Sequence, residues 1–133
     1  MFKLLKCMNG RQSVGEPASL PARPGIAYAF GEALVLTNGQ LIACGQTAKP
    51  THICGVNIAS AASGDYIPCV EVTPNMVFET TINADPSALV VGAKVKISTD
   101  AMEVTNDTAS GVATIHNLLG ATAAGDAVEV VFK

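Results

Sequence analysis

The chain has 133 residues, 49% hydrophobic and 14% charged, with a net charge of −3, four cysteines and no tryptophan. That suits one domain with a sizeable core and is too apolar and too weakly charged for intrinsic disorder. No run reaches the ~18 apolar residues of a membrane span, and residues 26–133 set four lysines against ten carboxylates, which disfavours nucleic acid because counterion displacement needs a basic face.

The first 25 residues differ in charge from the rest. They carry Lys3, Lys6, Arg11 and Arg23 against Glu16 alone. MFKLLKCM lacks the long apolar centre of a signal peptide, so a soluble, non-secreted chain is expected. Residues 9–25 hold Pro17, Pro21 and Pro24, each with a fixed φ and no amide donor. Residues 1–30 are therefore expected to form an extended arm lying on a partner surface. Arg11 and Arg23 would be its charge partners, and Leu20 and Pro21 its apolar contacts.

From Gly31 the texture becomes that of short strands. Leu34 and Leu36 alternate with less apolar neighbours, and Asn38-Gly39 before Leu41-Ile42 is a strong signal for a type I′ hairpin. Further strands are expected over 53–58, 66–72, 76–82, 94–98, 102–105, 112–119 and 127–132. No stretch holds a 3.6-residue period. The expected fold is all-β, a small barrel or sandwich over 31–133. Pro68, inside the strand at 66–72, predicts an edge or a bulge there.

The strands repeat. Moved forward by 61 positions, residues 31–72 fall on 92–133 without a gap, with 73–91 as the connecting strand. Gly31 meets Gly92, Leu34 meets Val95, Leu36 meets Ile97, Gly64-Asp65 meets Gly125-Asp126, and Ile67 and Cys69 meet Val128 and Val130. Few pairs are identical, but turn residues and apolar phase agree throughout. Two pseudo-symmetric halves sharing one core are expected. Gly64 and Gly125 would supply permissive dihedrals, and Asp65 and Asp126 local hydrogen bonds to the backbone.

No catalytic constellation is legible. The carboxylates are scattered singly, His52 and His116 do not correspond between the halves, and neither a G-x-S-x-G elbow nor a phosphate loop is present. Cys44, Cys54 and Cys69 with His52 contain no close ligand pair of the zinc-site kind. Cys54 and Cys69 fall where the other half has Ile115 and Val130, so they read as small buried hydrophobes. Neither enzyme activity nor a cofactor nor a metal is expected.

The segments GEALVL, GVNIASAASGDYIPCVEV, GAKVKIS and LLGATAAGDAVEVVFK together resemble a family of small capsid decoration (cement) proteins of tailed bacteriophages. The resemblance covers about residues 31–133; Pro68 and the proline-rich leader depart from it. It implies a structural virion protein, made in the bacterial cytoplasm, that binds the major capsid protein on the outside of the shell and stabilises it. It also implies homo-oligomers, a trimer first. Two alternatives stand beside it: a pseudo-symmetric β-barrel binding module for a small ligand or protein, and another virion part such as a tail or fibre module. The barrel class includes a pyruvoyl-dependent decarboxylase that cleaves itself at Gly-Ser, a dipeptide this chain lacks.

Overall fold

A computed structural model describes residues 1–8 and 17–133, and among the described residues it contains ten strands and no helix. In chain order these are β1 (Lys3–Cys7), β2 (Pro17–Pro21), β3 (Ala33–Thr37), β4 (Gln40–Ala43), β5 (His52–Cys54), β6 (Tyr66–Glu71), β7 (Met76–Thr81), β8 (Lys94–Val95), β9 (Ala113–Asn117) and β10 (Ala127–Val131). They form two five-stranded antiparallel sheets, ordered β2-β6-β5-β3-β4 and β1-β7-β10-β9-β8. We call them the β2 sheet and the β7 sheet.

The β3–β4 hairpin turns on Asn38 at φ 50° and Gly39 at φ 78°, the left-handed pair a type I′ turn requires. Along β3 the side chains alternate between two cores. Leu34 enters the cluster of the β2 sheet with Tyr28, Leu41, Cys54, Ile67 and Cys69. Ala33 joins the larger cluster of the β7 sheet, with Phe2, Phe78, Ile97, Ile115, Val128 and Phe132. The rings of Phe2 and Phe132 lie 5.6 Å apart and those of Phe78 and Phe132 5.7 Å apart, both tilted, the offset geometry that aromatic quadrupoles favour.

The registers recur at the expected spacing. Ala33↔Ile53 and Leu34↔His52 correspond to Lys94↔Thr114 and Val95↔Ala113, and Ile53↔Val70 and Cys54↔Cys69 to Thr114↔Val131 and Ile115↔Val130. Backbone bonds recur too: Gly31 N donates to Cys54 O and Gly92 N to Ile115 O, each at 2.8 Å, while Thr51 N donates to Leu34 O and Val112 N to Val95 O. The correspondence extends upstream of Gly31, with β2 against β6 matching β7 against β10, β2 and β7 lying 60 residues apart and β6 and β10 61.

Several expectations are corrected. Residues 1–30 are not a separate arm where they are described. β1 pairs with β7, β2 pairs with β6, and Phe2 and Ala22 are core residues. Leu36 is 43% exposed where Ile97 is buried; it lies beyond the β3–β5 ladder, which pairs only Ala33 and Leu34. Pro68 lies in β6, an interior strand. Its carbonyl accepts from Gly55 N just beyond the end of β5, so its ring nitrogen faces a place where the ladder is already running out. The strand expected at 102–105 shrinks to bridges at Val104, which touches both Ile82 and Ile97.

Candidate functional site

Backbone alternation decides what β2 offers to a partner. Ala22 N donates to Asp65 O at 2.9 Å, so Ala18, Leu20 and Ala22 turn their backbone groups to β6, and Pro17, Ser19 and Pro21 turn theirs outward. Two of those three outward positions have no N–H, leaving Ser19 as the only amide donor of β2 on that edge. The strand is blunted against addition of another. Leu20 is half-buried and packs on the core of its own sheet. Arg23 is exposed, and its amide donates to the Tyr28 hydroxyl at 2.8 Å. Arg11 lies outside the described residues. Of the expected contact residues, Leu20 thus faces its own core, while Arg23 is exposed.

The two Gly-Asp turns share one geometry. Gly64 has φ 90° and Gly125 φ 92°. Asp65 Oδ2 accepts from Ala62 N at 2.8 Å, and Asp126 Oδ2 accepts from Ala123 N at 2.9 Å and Thr122 N at 2.8 Å. The amides of Thr122 and Ala123 hold the Asp126 carboxyl below its usual range. Each carboxylate is consumed by its own turn, so both serve the fold.

The ionisable interior offers little chemistry. All four cysteines are buried, and burial pushes the Cys44 thiol up to about 12 and Cys69 up to about 11. Such thiols are poor nucleophiles. His52 is buried with Nδ1 2.9 Å from Thr51 Oγ1, and burial lowers its pKa against the opposing pull of Glu71. Among the described residues no group of three or more His, Cys, Asp or Glu side chains is placed to hold a metal ion. A groove of about 260 Å³ is lined by Met1, Lys3, Glu79, Thr80, Thr81 and Ala127, smaller than the roughly 300–1,000 Å³ of ordinary ligand pockets.

What stands out is apolar side chains held in water at matching ends of the two sheets. In the β7 sheet the entry to β8 and the exit from β9 are neighbours, tied by Gly92 N to Ile115 O. Val90, Val91 and Leu119 there are 66%, 62% and 46% exposed. In the β2 sheet the corresponding entry to β3 carries Phe30, 49% exposed, and Tyr66 opens β6 at 60%. Phe30 and Val91 are equivalent under the 61-residue spacing, and the Phe30 amide is fixed by Asn57 Oδ1 at 2.8 Å.

Leu119 adds a second signal. It has φ 54° and is followed by Gly120 at φ 79°, nearly the dihedrals of Asn38 and Gly39. A branched side chain in the left-handed region costs roughly 1–2 kcal/mol that asparagine largely avoids. This chain thus keeps an exposed leucine at dihedrals that the β3–β4 turn gives to asparagine, the residue that fits them. Sequence reading missed all five residues. The legible clue was Leu-Gly at a turn, with Val90-Val91 before Gly92 outside any alternating strand.

Compared with known proteins, the chain matches no family model and no curated protein.

Proposed function

We propose that this chain is a structural subunit added to the outside of a tailed-phage capsid, where it binds the major capsid protein and stabilises the shell. The observation that carries the reading is the exposed apolar set Phe30, Tyr66, Val90, Val91 and Leu119, with Leu119 retained at positive φ. A residue kept exposed against its backbone preference is best accounted for by a contact outside the chain. The matching ladders favour two pseudo-symmetric halves, 17–71 and 76–131. Bridges from Ala22 to Leu41 and from Ile82 to Val104 favour curling of each half towards a small barrel. Such a body, repeated over a lattice and self-associated, a trimer first, binds through many weak contacts at once. It is made in the bacterial cytoplasm and resides on the capsid exterior.

The placement of β2 shifts the proposed contact from the N-terminal segment to these turns. The test is co-sedimentation with mature shells that lack the protein, comparing the natural chain with Leu119→Asn and with Phe30→Ser/Val91→Thr. The natural chain should bind saturably. Leu119→Asn should unfold at higher denaturant, by about 1 kcal/mol, yet bind more weakly. Undiminished binding by both variants would remove the contact from these turns. Failure of the natural chain to bind would abandon decoration and favour a binding module or a tail or fibre part.

A further inference from the structure

We propose that Cys54 and Cys69 are a modification site: a cysteine pair that an oxidant of the disulfide class closes into a cross-strand link between β5 and β6.

The register places them face to face. Cys54↔Cys69 is a direct pair of the β5–β6 ladder. The neighbouring bonds say which kind of pair it is. Gly55 N donates to Pro68 O and Val72 N to Thr51 O, both at 2.8 Å. Positions 51, 53 and 55 therefore turn their backbone groups toward β6, whereas Cys54 N donates to Glu32 O on the other side, at 2.9 Å. Cys54 and Cys69 thus form a non-hydrogen-bonded pair, the narrow kind, with α-carbons about 4.5 Å apart. That falls inside the roughly 4.4–6.8 Å that a disulfide spans. Both side chains lie on the same face, in the same apolar cluster, with 2% and 3% exposure.

The other two cysteines lack this arrangement. Cys7 stands opposite Met76, and Cys44, just beyond β4, lies beside Ala33, to whose carbonyl its amide donates at 2.7 Å; a thiol bond to a backbone carbonyl is common to Cys44 (Ala48 O) and Cys54 (Val56 O). The corresponding positions of the β7 sheet hold Ile115 and Val130 in the same register, so apolar side chains suffice to pack this place. A bonded pair of thiols is an additional capacity of the β2 sheet.

The step balances as thiol–disulfide exchange. One cysteine thiolate attacks a sulfur of an oxidised small-molecule disulfide such as glutathione disulfide, forming a mixed disulfide and releasing one thiolate. The second cysteine thiolate attacks the protein sulfur of that mixed disulfide and releases the other. Two protein thiols are oxidised, the reagent is reduced to two thiols, and the two protons pass to the released thiolates. Because both sulfurs are buried, attack proceeds through local opening at β2, the edge strand whose Ala18 pairs with Cys69. Closure is slow in the native protein and fast during refolding.

The experiment uses the full chain in glutathione buffers running from fully reduced to fully oxidised. One series starts from native protein and the other from protein refolding out of denaturant. Remaining thiols are alkylated in denaturant and the peptides are mapped by mass spectrometry. The expected product has lost two hydrogens, keeps two alkylatable thiols, and joins the peptides of Cys54 and Cys69. It appears in the refolding series first and is absent from Cys54→Ile/Cys69→Val, which copies the other half. Four alkylatable thiols at the oxidised end of both series would overturn the proposal, as would a dominant link through Cys7 or Cys44 or between chains. Nothing in this pairing depends on the partner proposed above.

Discussion

The two sheets solve the same edge problem in opposite ways. Four strands of each correspond, β2-β6-β5-β3 with β7-β10-β9-β8, and in each the first strand has a second side whose positions must be satisfied. In β7 those positions are Val77, Glu79 and Thr81, and the first two receive β1 through the pairs Lys6↔Val77 and Lys3↔Glu79. In β2 they are Pro17, Ser19 and Pro21, and no strand of the described residues covers them along that length. One edge is occupied and the other is deprived of donors, and both are closed to stray pairing. Position within a repeat fixes the need, while composition decides how it is met.

A second divergence lies where each first strand ends. Asn83 N donates directly to Val104 O at 2.9 Å. At the corresponding place Arg23 N reaches the Tyr28 hydroxyl, which in turn donates to Leu41 O at 2.6 Å. A side chain is spliced into one half where the other closes backbone to backbone. Glu32 is a third difference, standing where the other half has Ala93. It is buried, its Oε2 accepting from Ala29 N, and desolvation raises its pKa above the ordinary 4.5.

These contrasts can be broken in order of size. Phe132→Ala, which empties the ring contacts with Phe2 and Phe78, should cost about 3–5 kcal/mol in denaturant unfolding; a loss under 1 kcal/mol would mean the β7 sheet does not rest on that cluster. Proline substitution then compares the edges. Glu79→Pro should cost about 2–3 kcal/mol by unpairing β1, whereas Ser19→Pro should stay within about 0.5 kcal/mol, and equal losses would contradict the assignment of the open edge. Tyr28→Phe strips a partner from both Arg23 N and Leu41 O and should cost about 1–3 kcal/mol, with faster amide exchange at Arg23 as the local reading.

Glu32→Gln gives the smallest effect, seen mainly in pH dependence. With a raised folded pKa, the folded state holds its proton when the unfolded chain has released it. Glu32 thus lowers stability as pH rises from about 4.5 through the raised value. The variant should be flatter over that window and more stable at neutral pH. Unchanged slopes in unfolding series at several pH values would show that another group sets the dependence.

Much of this was legible in local chemistry. Asn38-Gly39, the closing strands and the 61-residue register all follow from turn residues and period-two alternation. What escaped depends on distance or on direction. The pairing of β1 with β7 joins residues some seventy positions apart and leaves no mark in either segment. The prolines of β2 read as a detached arm, although Pro17 and Pro21, both odd, share the phase of one strand face. That spacing is what an edge strand needs when only its inner amides are used. Pro68 misled for the same reason, since its tolerance is set by where β5 stops. The exposed set at Phe30, Val91 and Leu119 needed φ angles and burial, which composition does not carry.

The order of the strands along the chain has a consequence for synthesis. The β2 sheet draws on the continuous stretch 17–71 and can assemble as it leaves the ribosome, whereas the β7 sheet combines β1 with strands that begin at Met76. β1, made before the β2 sheet, must therefore wait for β7, which comes after that sheet has been completed. During that interval KLLKC is an unpaired apolar segment, and Lys3 and Lys6 act as charged gatekeepers that keep waiting chains apart.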